Sequence, residues 1–141
     1  MKLFDNGYIK LEYDTDTQIL IAPCPDIEHL NLMLVHQAFT KIVKTITEHH
    51  IHKLLLDASA SKIDVSEEDH RLVVDHFVED LKTSPLQQLA RIISSNTAHE
   101  ESLAVYLQEK QLKSPLPFEI KNFKKKAEAL SWLEYSTAKS L

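Results

Sequence analysis

The sequence predicts an α/β protein whose mixed, mostly parallel sheet begins with an antiparallel hairpin and carries helices packed on it. Three short apolar runs, at 53–57, 90–94 and 118–121, predict strands of the parallel part. Each run is followed by a stretch with helical periodicity, and strands that alternate with helices form βαβ crossovers. The predicted element order is ββαβαβαβα.

The N-terminal hairpin is predicted by two short strands that are separated by a polar turn. Residues 8–13 read Tyr-Ile-Lys-Leu-Glu-Tyr, and this alternation indicates a strand with one buried face. The sequence Asp-Thr-Asp at 14–16 favours a turn before the apolar residues 18–22. Two strands joined in this way pair antiparallel, so residues 8–22 predict the hairpin.

The first helix is predicted by an apolar stripe whose members recur every three or four residues. The stripe consists of Leu32, Val35, Phe39, Ile42 and Ile46. Only an α-helix places such residues on one face. Asp26 is the predicted N-cap, so we expect this helix to span residues 26–49.

Capping residues mark the starts of the second and third helices. Ser66 is followed by three carboxylates, which suit the first turn of a helix, and Thr-Ser-Pro at 83–85 ends that helix. Its inward stripe consists of His70, Val74, Phe77 and Leu81. Asn96 or Thr97 caps the third helix, and residues 124–135 form the last one.

The composition predicts one domain that spans residues 1–141. The chain has 141 residues, of which 43% are hydrophobic and 26% charged, and these values suit a single packed core. The net charge of −5 argues against nucleic acid as the main partner, because Lys and Arg side chains drive phosphate binding. The stretch 64–80 is acidic and the C-terminal third is basic; a solvated helix face or a docking patch explains such clusters.

The single glycine, Gly7, excludes the usual nucleotide-binding loops. Dinucleotide fingerprints and P-loops need several glycines, so that backbone N–H groups can approach the phosphates. Gly7 lies in an Asp-Asn-Gly turn near the N-terminus, before any predicted helix. We therefore expect no NAD, FAD or ATP and no other cofactor.

Cysteine usage and the lengths of the apolar runs bear on the compartment. Cys24 is the only cysteine, so the chain has no internal disulfide, which fits a reducing cytosol. The first residues contain no apolar signal-peptide region. Uninterrupted apolar runs reach only about four residues, as at 19–22 and 32–35, whereas a bilayer span needs about 20 residues. We expect a cytoplasmic protein without a membrane span.

Three segments of the chain resemble the small SpoIIAA-like group of the STAS superfamily. They are Leu-Leu-Leu-Asp-Ala-Ser at 54–59, Arg-Ile-Ile-Ser at 91–94, and the closing pattern of Phe123 followed by Ala-Leu-Ser-Trp-Leu at 129–133. The resemblance covers about residues 8–134. It implies a mixed sheet with helices in the order given above.

The resemblance also implies a phosphorylation switch that this chain departs from. Anti-sigma-factor antagonists of the superfamily carry Asp-Ser-Ser-Gly, whose first serine is phosphorylated, and the corresponding stretch here is Asp64-Val65-Ser66-Glu67. Valine stands at the phosphoacceptor position and glutamate at the glycine. Phosphate on Ser66 would gain from the helix dipole but would be repelled by the carboxylates at 67–69. We expect Ser66 to be a helix cap and the switch to be missing.

The eight histidines do not form a metal-ligand pattern. His29 and His36 are two helical turns apart, whereas two imidazoles share a zinc ion at i, i+4 on one helix. His49, His50 and His52 lie across a predicted helix end and the next strand, so they should point in different directions. No metal site is predicted.

Seven polar residues are the candidate ligand-binding or docking residues. They are Asp57, Ser59, Ser61, Ser66, His70, Ser94 and Asn96. Most of them follow the carboxyl ends of two predicted parallel strands, where ligands of such sheets usually bind. His70 is either a buried histidine hydrogen-bonded at the sheet edge or a titrating group at the rim of a pocket.

A Ser-His-Asp relay is not expected from these residues. Such a relay needs hydrogen bonds among all three groups and a nucleophile on a sharp turn beside an oxyanion hole. No glycine lies near Ser59 or Ser61, so the elbow that presents a nucleophilic serine is missing. We therefore expect a protein that is not an enzyme.

Two functions remain open. The first is a STAS-like, non-catalytic module that docks an unidentified protein or a second copy of itself as a homodimer, with the acidic helix from Ser66 to Thr83 as the docking face. The second is a binder or carrier of a small apolar or lipid-like ligand, because the SpoIIAA-like group is akin to CRAL-TRIO lipid-transfer domains. A carrier should enclose a cavity of some hundreds of Å³, whereas a docking module should be close-packed.

Overall fold

A mixed six-stranded sheet lies at the centre of the protein, in a computed structural model that describes residues 1–135. The strands of the described residues are β1 (Lys2–Asp5), β2 (Lys10–Asp14), β3 (Ile19–Pro23), β4 (Ile27–Glu28), β5 (Lys53–Asp57), β6 (Ile63–Asp64), β7 (Gln88–Ile92) and β8 (Glu119–Phe123). The helices are α1 (Leu32–Glu48), α2 (Glu67–Leu81), α3 (Thr97–Lys113) and α4 (Lys126–Tyr135).

The order of strands in the sheet is β1-β2-β3-β5-β7-β8. Strands β1, β2 and β3 pair antiparallel, and β3, β5, β7 and β8 pair parallel. The predicted fold class, a mostly parallel sheet with an N-terminal hairpin, is therefore confirmed. The structure adds the edge strand β1 and a separate two-stranded pair, β4 with β6, which is too short to leave a periodic pattern in the sequence.

Helices cover both faces of the sheet. The larger core joins apolar residues of α1, α2 and α3 to one face, and the smaller core joins α4 to the other. Strand β5 illustrates the arrangement, because Leu54 and Leu56 belong to the larger core and Leu55 to the smaller one. The unbroken apolar run at 53–57 is thus a strand buried on both sides, as its lack of alternation predicts.

The predicted start of the first helix is wrong. Asp26 is not its N-cap: the Asp26 carboxylate accepts a hydrogen bond from the Lys62 backbone N–H at 2.8 Å. Strand β4 and a 3₁₀ turn, His29–Asn31, occupy the residues between Asp26 and the start of α1 at Leu32. The carboxylate therefore ties the loop before β6 to the loop after β3, and local sequence patterns do not predict a partner 36 residues away.

The predicted caps of the next two helices are confirmed. Ser66 Oγ accepts a hydrogen bond from the Asp69 N–H at 3.1 Å, and Asn96 Oδ1 accepts one from the His99 N–H at 3.2 Å. Each side chain satisfies one of the N–H groups that lack a partner within the helix. The stripe of α2 is buried as predicted, at His70, Val74, Phe77 and Leu81.

Helix α1 is terminated by a histidine in a left-handed backbone conformation. His50 has φ +51°, and the Ile51 N–H donates to the Ile46 carbonyl at 3.0 Å, which is the hydrogen bond of a Schellman motif. Glycine normally holds this position because it has no Cβ to clash there. The exposed His50 side chain therefore stands in a strained position.

We expect His50→Gly to raise the free energy of unfolding by about 0.5–1 kcal/mol, because glycine relieves the left-handed strain. Urea denaturation of both proteins measures the gain. His49→Gly is the matched control, because His49 has φ −106° and gains nothing from glycine, so it should lose stability. Equal effects of the two substitutions would contradict the role given to His50.

Candidate functional site

A buried ion pair, Arg91 with Glu100, is the centre of a polar cluster at the carboxyl end of the parallel strands. Arg91 lies on β7 and is 4% exposed; Glu100 lies in the first turn of α3 and is 5% exposed. The two guanidinium NH groups donate to the two carboxylate oxygens at 3.2 and 3.4 Å. This bidentate arrangement is the geometry in which arginine and carboxylate pair most strongly.

Further hydrogen bonds complete the ion pair. The Ser94 backbone N–H donates to Glu100 at 2.9 Å, and Arg91 donates to Asn122 Oδ1 on β8 at 3.1 Å. Burial by itself raises the pKa of Glu100, but the Arg91 charge and the hydrogen bonds from Ser94 and Arg91 outweigh it, so the pKa is lowered overall. Glu100 is therefore ionised, and the pair carries no net charge.

Two histidines lie beside this pair. His70 is 1% exposed, its ring centroid is 5.6 Å from that of His99, and its Nδ1 has no hydrogen-bond partner among residues 1–135. Burial lowers the pKa of His70 to about 4, with smaller contributions from Arg91 and His99 against the opposing charge of Glu100. His99 Nε2 lies 2.6 Å from the Val65 carbonyl oxygen and so carries the proton that it donates.

The space inside this part of the protein is small. His70, Arg91, Glu100 and Cys24 line it, together with apolar side chains of α1, α2, α3 and the sheet. Its volume is about 10 Å³, which suffices for roughly one water molecule. The interior around the polar cluster is thus close-packed.

Cys24 is held in its neutral form. Desolvation raises the pKa of its thiol to about 11, although Arg91 and Ser61 act in the opposite direction. A thiol with this pKa is almost entirely protonated at neutral pH, and the thiolate is the nucleophilic form. Cys24 therefore lacks the activation that a catalytic cysteine requires.

Asp57 and Ser59 pair with each other and not with a histidine. The Ser59 hydroxyl and the Ser59 backbone N–H both donate to Asp57 Oδ1, at 2.6 and 2.9 Å. No histidine of residues 1–135 makes a hydrogen bond with either side chain. His70 instead faces the interior beside Arg91 and Glu100, so the structure does not bring Asp57, Ser59 and His70 together.

The other candidate residues hold loops and helix ends in place through hydrogen bonds. Ser61 donates to the Pro25 carbonyl at 2.8 Å and fastens the loop after β5 to the loop after β3. Ser66 caps α2. Ser94 and Asn96 lie together at the start of α3, where Asn96 also donates to the Ile63 carbonyl at 3.4 Å. Only Ser94 and His70 belong to the surroundings of the ion pair.

Sequence reasoning missed Arg91, Glu100 and His99 as members of this cluster. One signal was present: Arg91 interrupts an apolar strand that was predicted to be buried, and a buried guanidinium requires a carboxylate partner. Glu100, nine residues later in the first turn of a helix, is a natural choice for that partner. The pattern alone does not distinguish it from the neighbouring Glu101.

Neither a membrane-spanning helix nor a metal-ion site occurs among the residues that the structure describes. None of the helices within residues 1–135 combines the length and the hydropathy that crossing a bilayer requires. In the same residues, no group of three or more His, Cys, Asp or Glu side chains is arranged to hold a metal ion.

Comparisons with protein-family models, with curated proteins and with solved structures found no match. The resemblance to the SpoIIAA-like group therefore stays a prediction.

We expect stability to fall as the pH drops from about 6.5 toward 4, because the unfolded chain protonates His70 near its ordinary pKa of 6.5 and the folded chain does so only near 4. The loss should reach about 3 kcal/mol. Urea denaturation across this pH range measures it, and His70→Gln should remove most of the slope. His76→Gln, at an exposed position on the same helix, should leave the slope unchanged; identical slopes for the two variants would refute the assignment.

Glu100→Gln should lower the free energy of unfolding by about 3–5 kcal/mol, because it leaves the Arg91 charge buried without a counter-charge. The double variant Arg91→Met/Glu100→Gln should be more stable than Glu100→Gln alone, since it removes both charges. Urea denaturation provides all of these values. Glu101→Gln, on the exposed side of the same turn, should change stability by less than about 0.5 kcal/mol. A double variant less stable than Glu100→Gln would contradict the ion-pair account.

Proposed function

We propose that this chain is a non-catalytic, STAS-like interaction module that docks a protein partner at the amino ends of α1 and α2. The observation that supports this most directly is a group of exposed apolar side chains in that region. The group consists of Tyr8, Leu30, Met33, Leu34 and Leu72, and we call it the α1–α2 patch. Single exposed apolar residues are ordinary on proteins, whereas a contiguous patch marks an interaction site.

Three residues of the patch lie at the start of α1. Met33 and Leu34 are in its first turn, and Leu30 is in the 3₁₀ turn that leads directly into it. Leu34 and Tyr8 line one groove of about 240 Å³ between α1 and the loop that joins β1 to β2. The patch thus extends from this loop across the start of α1.

The patch continues onto α2 across the contact between the two helices. His36 of α1 and His76 of α2 touch, with ring centroids 4.9 Å apart. Met33 precedes His36 by one turn and Leu72 precedes His76 by one turn. Both helices connect parallel strands and run in the same direction, so one turn nearer their amino ends Met33 and Leu72 flank the same helix contact. They are 76% and 60% exposed.

The close-packed interior favours this proposal over a carrier. A carrier of a lipid-sized ligand needs a cavity of several hundred Å³, and the enclosed space beside the polar cluster holds about 10 Å³. The residues that a carrier would use, Phe39 and Phe77, stack on each other at 4.5 Å between ring centroids. The larger openings lie on the surface.

The docking face is narrower than the whole acidic helix. Asp75 and Glu79 on the C-terminal half of α2 both pair with Lys110 of α3, and Asp75 also accepts a hydrogen bond from the Tyr106 hydroxyl at 2.8 Å. Their side chains are committed to helix packing. The amino end of α2 is the part of this helix that remains for a partner.

We also propose that the module lacks a phosphorylation switch at this face and acts in the cytoplasm. Val65 stands at the expected phosphoacceptor position and is buried, and Ser66 is engaged in capping α2. Self-association into a homodimer is a second form of docking that suits a domain of this size.

Leu30→Ser/Met33→Ser should abolish in-cell crosslinks between the protein and its partner, because the patch loses its two most exposed side chains. Crosslinking in the native cell, followed by mass analysis of the adducts, compares the variant with the wild type. Leu112→Ser is the matched control, because Leu112 is equally apolar and exposed but lies on α3. Since all three positions are exposed, stability should change by less than about 0.5 kcal/mol. Crosslinks that survive in the double variant would contradict the proposal.

A further inference from the structure

We infer that the partner presents a basic amphipathic helix to the α1–α2 patch. This inference rests on the proposed function and adds the chemistry of the partner. It follows from the charges around the patch, from the positions of the cations on both helices, and from the width of the patch.

Carboxylates predominate around the amino ends of α1 and α2. They are Asp26, Glu28, Asp64, Glu67, Glu68 and Asp69. Lys62 is the nearby cation in the same stretches of chain. Glu68 lies one helical turn before Leu72, and Glu28 lies two residues before Leu30, so these charges border the apolar side chains.

Two of the three cations of α1 and α2 point away from the patch. Lys44 pairs with Glu48 at the far end of α1, and Arg71 donates to Ser102 of α3 at 2.9 Å. Lys41, the third, lies over the Phe4 ring in the groove at one edge of the patch. The carboxylates at the amino end of α2 are therefore left for a partner to neutralise.

The field of these carboxylates acts on the patch itself. Partial burial raises the pKa of the Tyr8 hydroxyl, and the charges of Asp26 and Glu28 raise it further. A partner with Lys or Arg beside its apolar residues is electrostatically complementary to such a surface.

The helix dipole explains only some of these carboxylates. Glu67, Glu68 and Asp69 lie in the first turn of α2, where negative charge is favourable in any case. Asp26, Glu28 and Asp64 lie outside the first turn of every α-helix in the described residues. Asp26 also accepts the hydrogen bond from the Lys62 N–H, and Glu28 belongs to the capping box of the 3₁₀ turn. These structural roles leave their negative charge beside the patch.

The width of the patch suits a helix. Met33 on α1 and Leu72 on α2 belong to two packed helices, and the axes of packed helices lie about 8–10 Å apart. Apolar residues two turns apart on a partner helix are about 10.8 Å apart along its axis. Such a helix laid across α1 and α2 places one anchor near Met33 and another near Leu72, as in helix-in-groove recognition.

Fluorescence anisotropy with two labelled probe peptides tests the inference. Both peptides are amphipathic helices of about 18 residues, one built from Leu and Lys and the other from Leu and Glu. We expect the Leu/Lys peptide to bind the full chain at least about tenfold more tightly than the Leu/Glu peptide. Leu30→Ser/Met33→Ser should weaken that binding about tenfold, and Leu112→Ser should not.

Neutral variants test the charge around the patch. Glu28→Gln/Glu67→Gln/Glu68→Gln should weaken the Leu/Lys peptide about fivefold and flatten its salt dependence, since exposed charge pairs contribute little each. Glu101→Gln/Glu109→Gln, which removes exposed carboxylates of α3, is the matched control and should leave binding unchanged.

The outcomes separate this inference from the proposed function. Binding of the Leu/Lys peptide that survives in Leu30→Ser/Met33→Ser would reveal only attraction to an acidic protein and would overturn the inference. Equal, patch-dependent binding of both peptides would overturn the basic character of the partner and leave the proposed function standing. Both peptides could also fail to bind while in-cell crosslinks still depend on Leu30 and Met33. That outcome would likewise overturn the inference and leave the proposed function standing. Loss of that dependence in cells would overturn the proposed function itself.

Discussion

The neutralisation of one buried guanidinium organises much of this structure. Arg91 lies on β7 with helices on both faces of the sheet, where an unpaired charge would be strongly destabilising. Glu100 neutralises it from the first turn of α3, and Asn122 accepts from it on β8. The ion pair therefore holds one side of the first turn of α3 against β7, and Asn96 caps the same helix. With that side fixed, Tyr106 and Lys110 face Asp75 on α2.

The same ion pair determines the chemistry of its neighbours. The Arg91 charge lowers the pKa of His70 and also acts to lower the pKa of Cys24. For Cys24, burial is the larger effect, so the pKa of the thiol is raised overall. The result is a neutral imidazole and a neutral thiol around a space of about one water molecule. Ser59 meanwhile donates to Asp57, so no imidazole activates its hydroxyl. Burial thus holds the Cys24 thiol in its poorly nucleophilic form and makes the His70 imidazole a weak base.

Local sequence patterns predicted the helices, most of the strands and two of the helix caps. Features that depend on contacts between distant parts of the chain were not predicted. The strand at 53–57 was predicted correctly because burial on both faces leaves an unbroken apolar run. The helix containing Val35 to Ile46 was predicted correctly because burial of one face leaves an apolar stripe. The caps Ser66 and Asn96 succeed because a cap acts within three residues. Asp26 failed because its partner, Lys62, comes from a distant loop.

The candidate site illustrates the same limit. The polar residues after the strands were correctly grouped at one end of the sheet, but proximity in that region does not specify hydrogen bonds. Ser61 reaches the Pro25 carbonyl, and His70 turns inward, because side-chain direction depends on how three helices pack on one face. The Arg91–Glu100 pair depends on the crossover from β7 to α3. No window of sequence contains that geometry.

Helix α2 has two flanks with opposite roles, and this asymmetry is the strongest physical argument for a docking face. On the flank toward α3, Asp75 and Glu79 neutralise Lys110, so charge and hydrogen-bonding capacity are used within the protein. On the flank toward α1, His76 contacts His36 and Phe77 stacks on Phe39. One turn nearer the amino ends of the two helices, Met33 and Leu72 are exposed. Exposed apolar side chains therefore lie beside the carboxylates at the amino end of α2, and the proposed partner would gain from both.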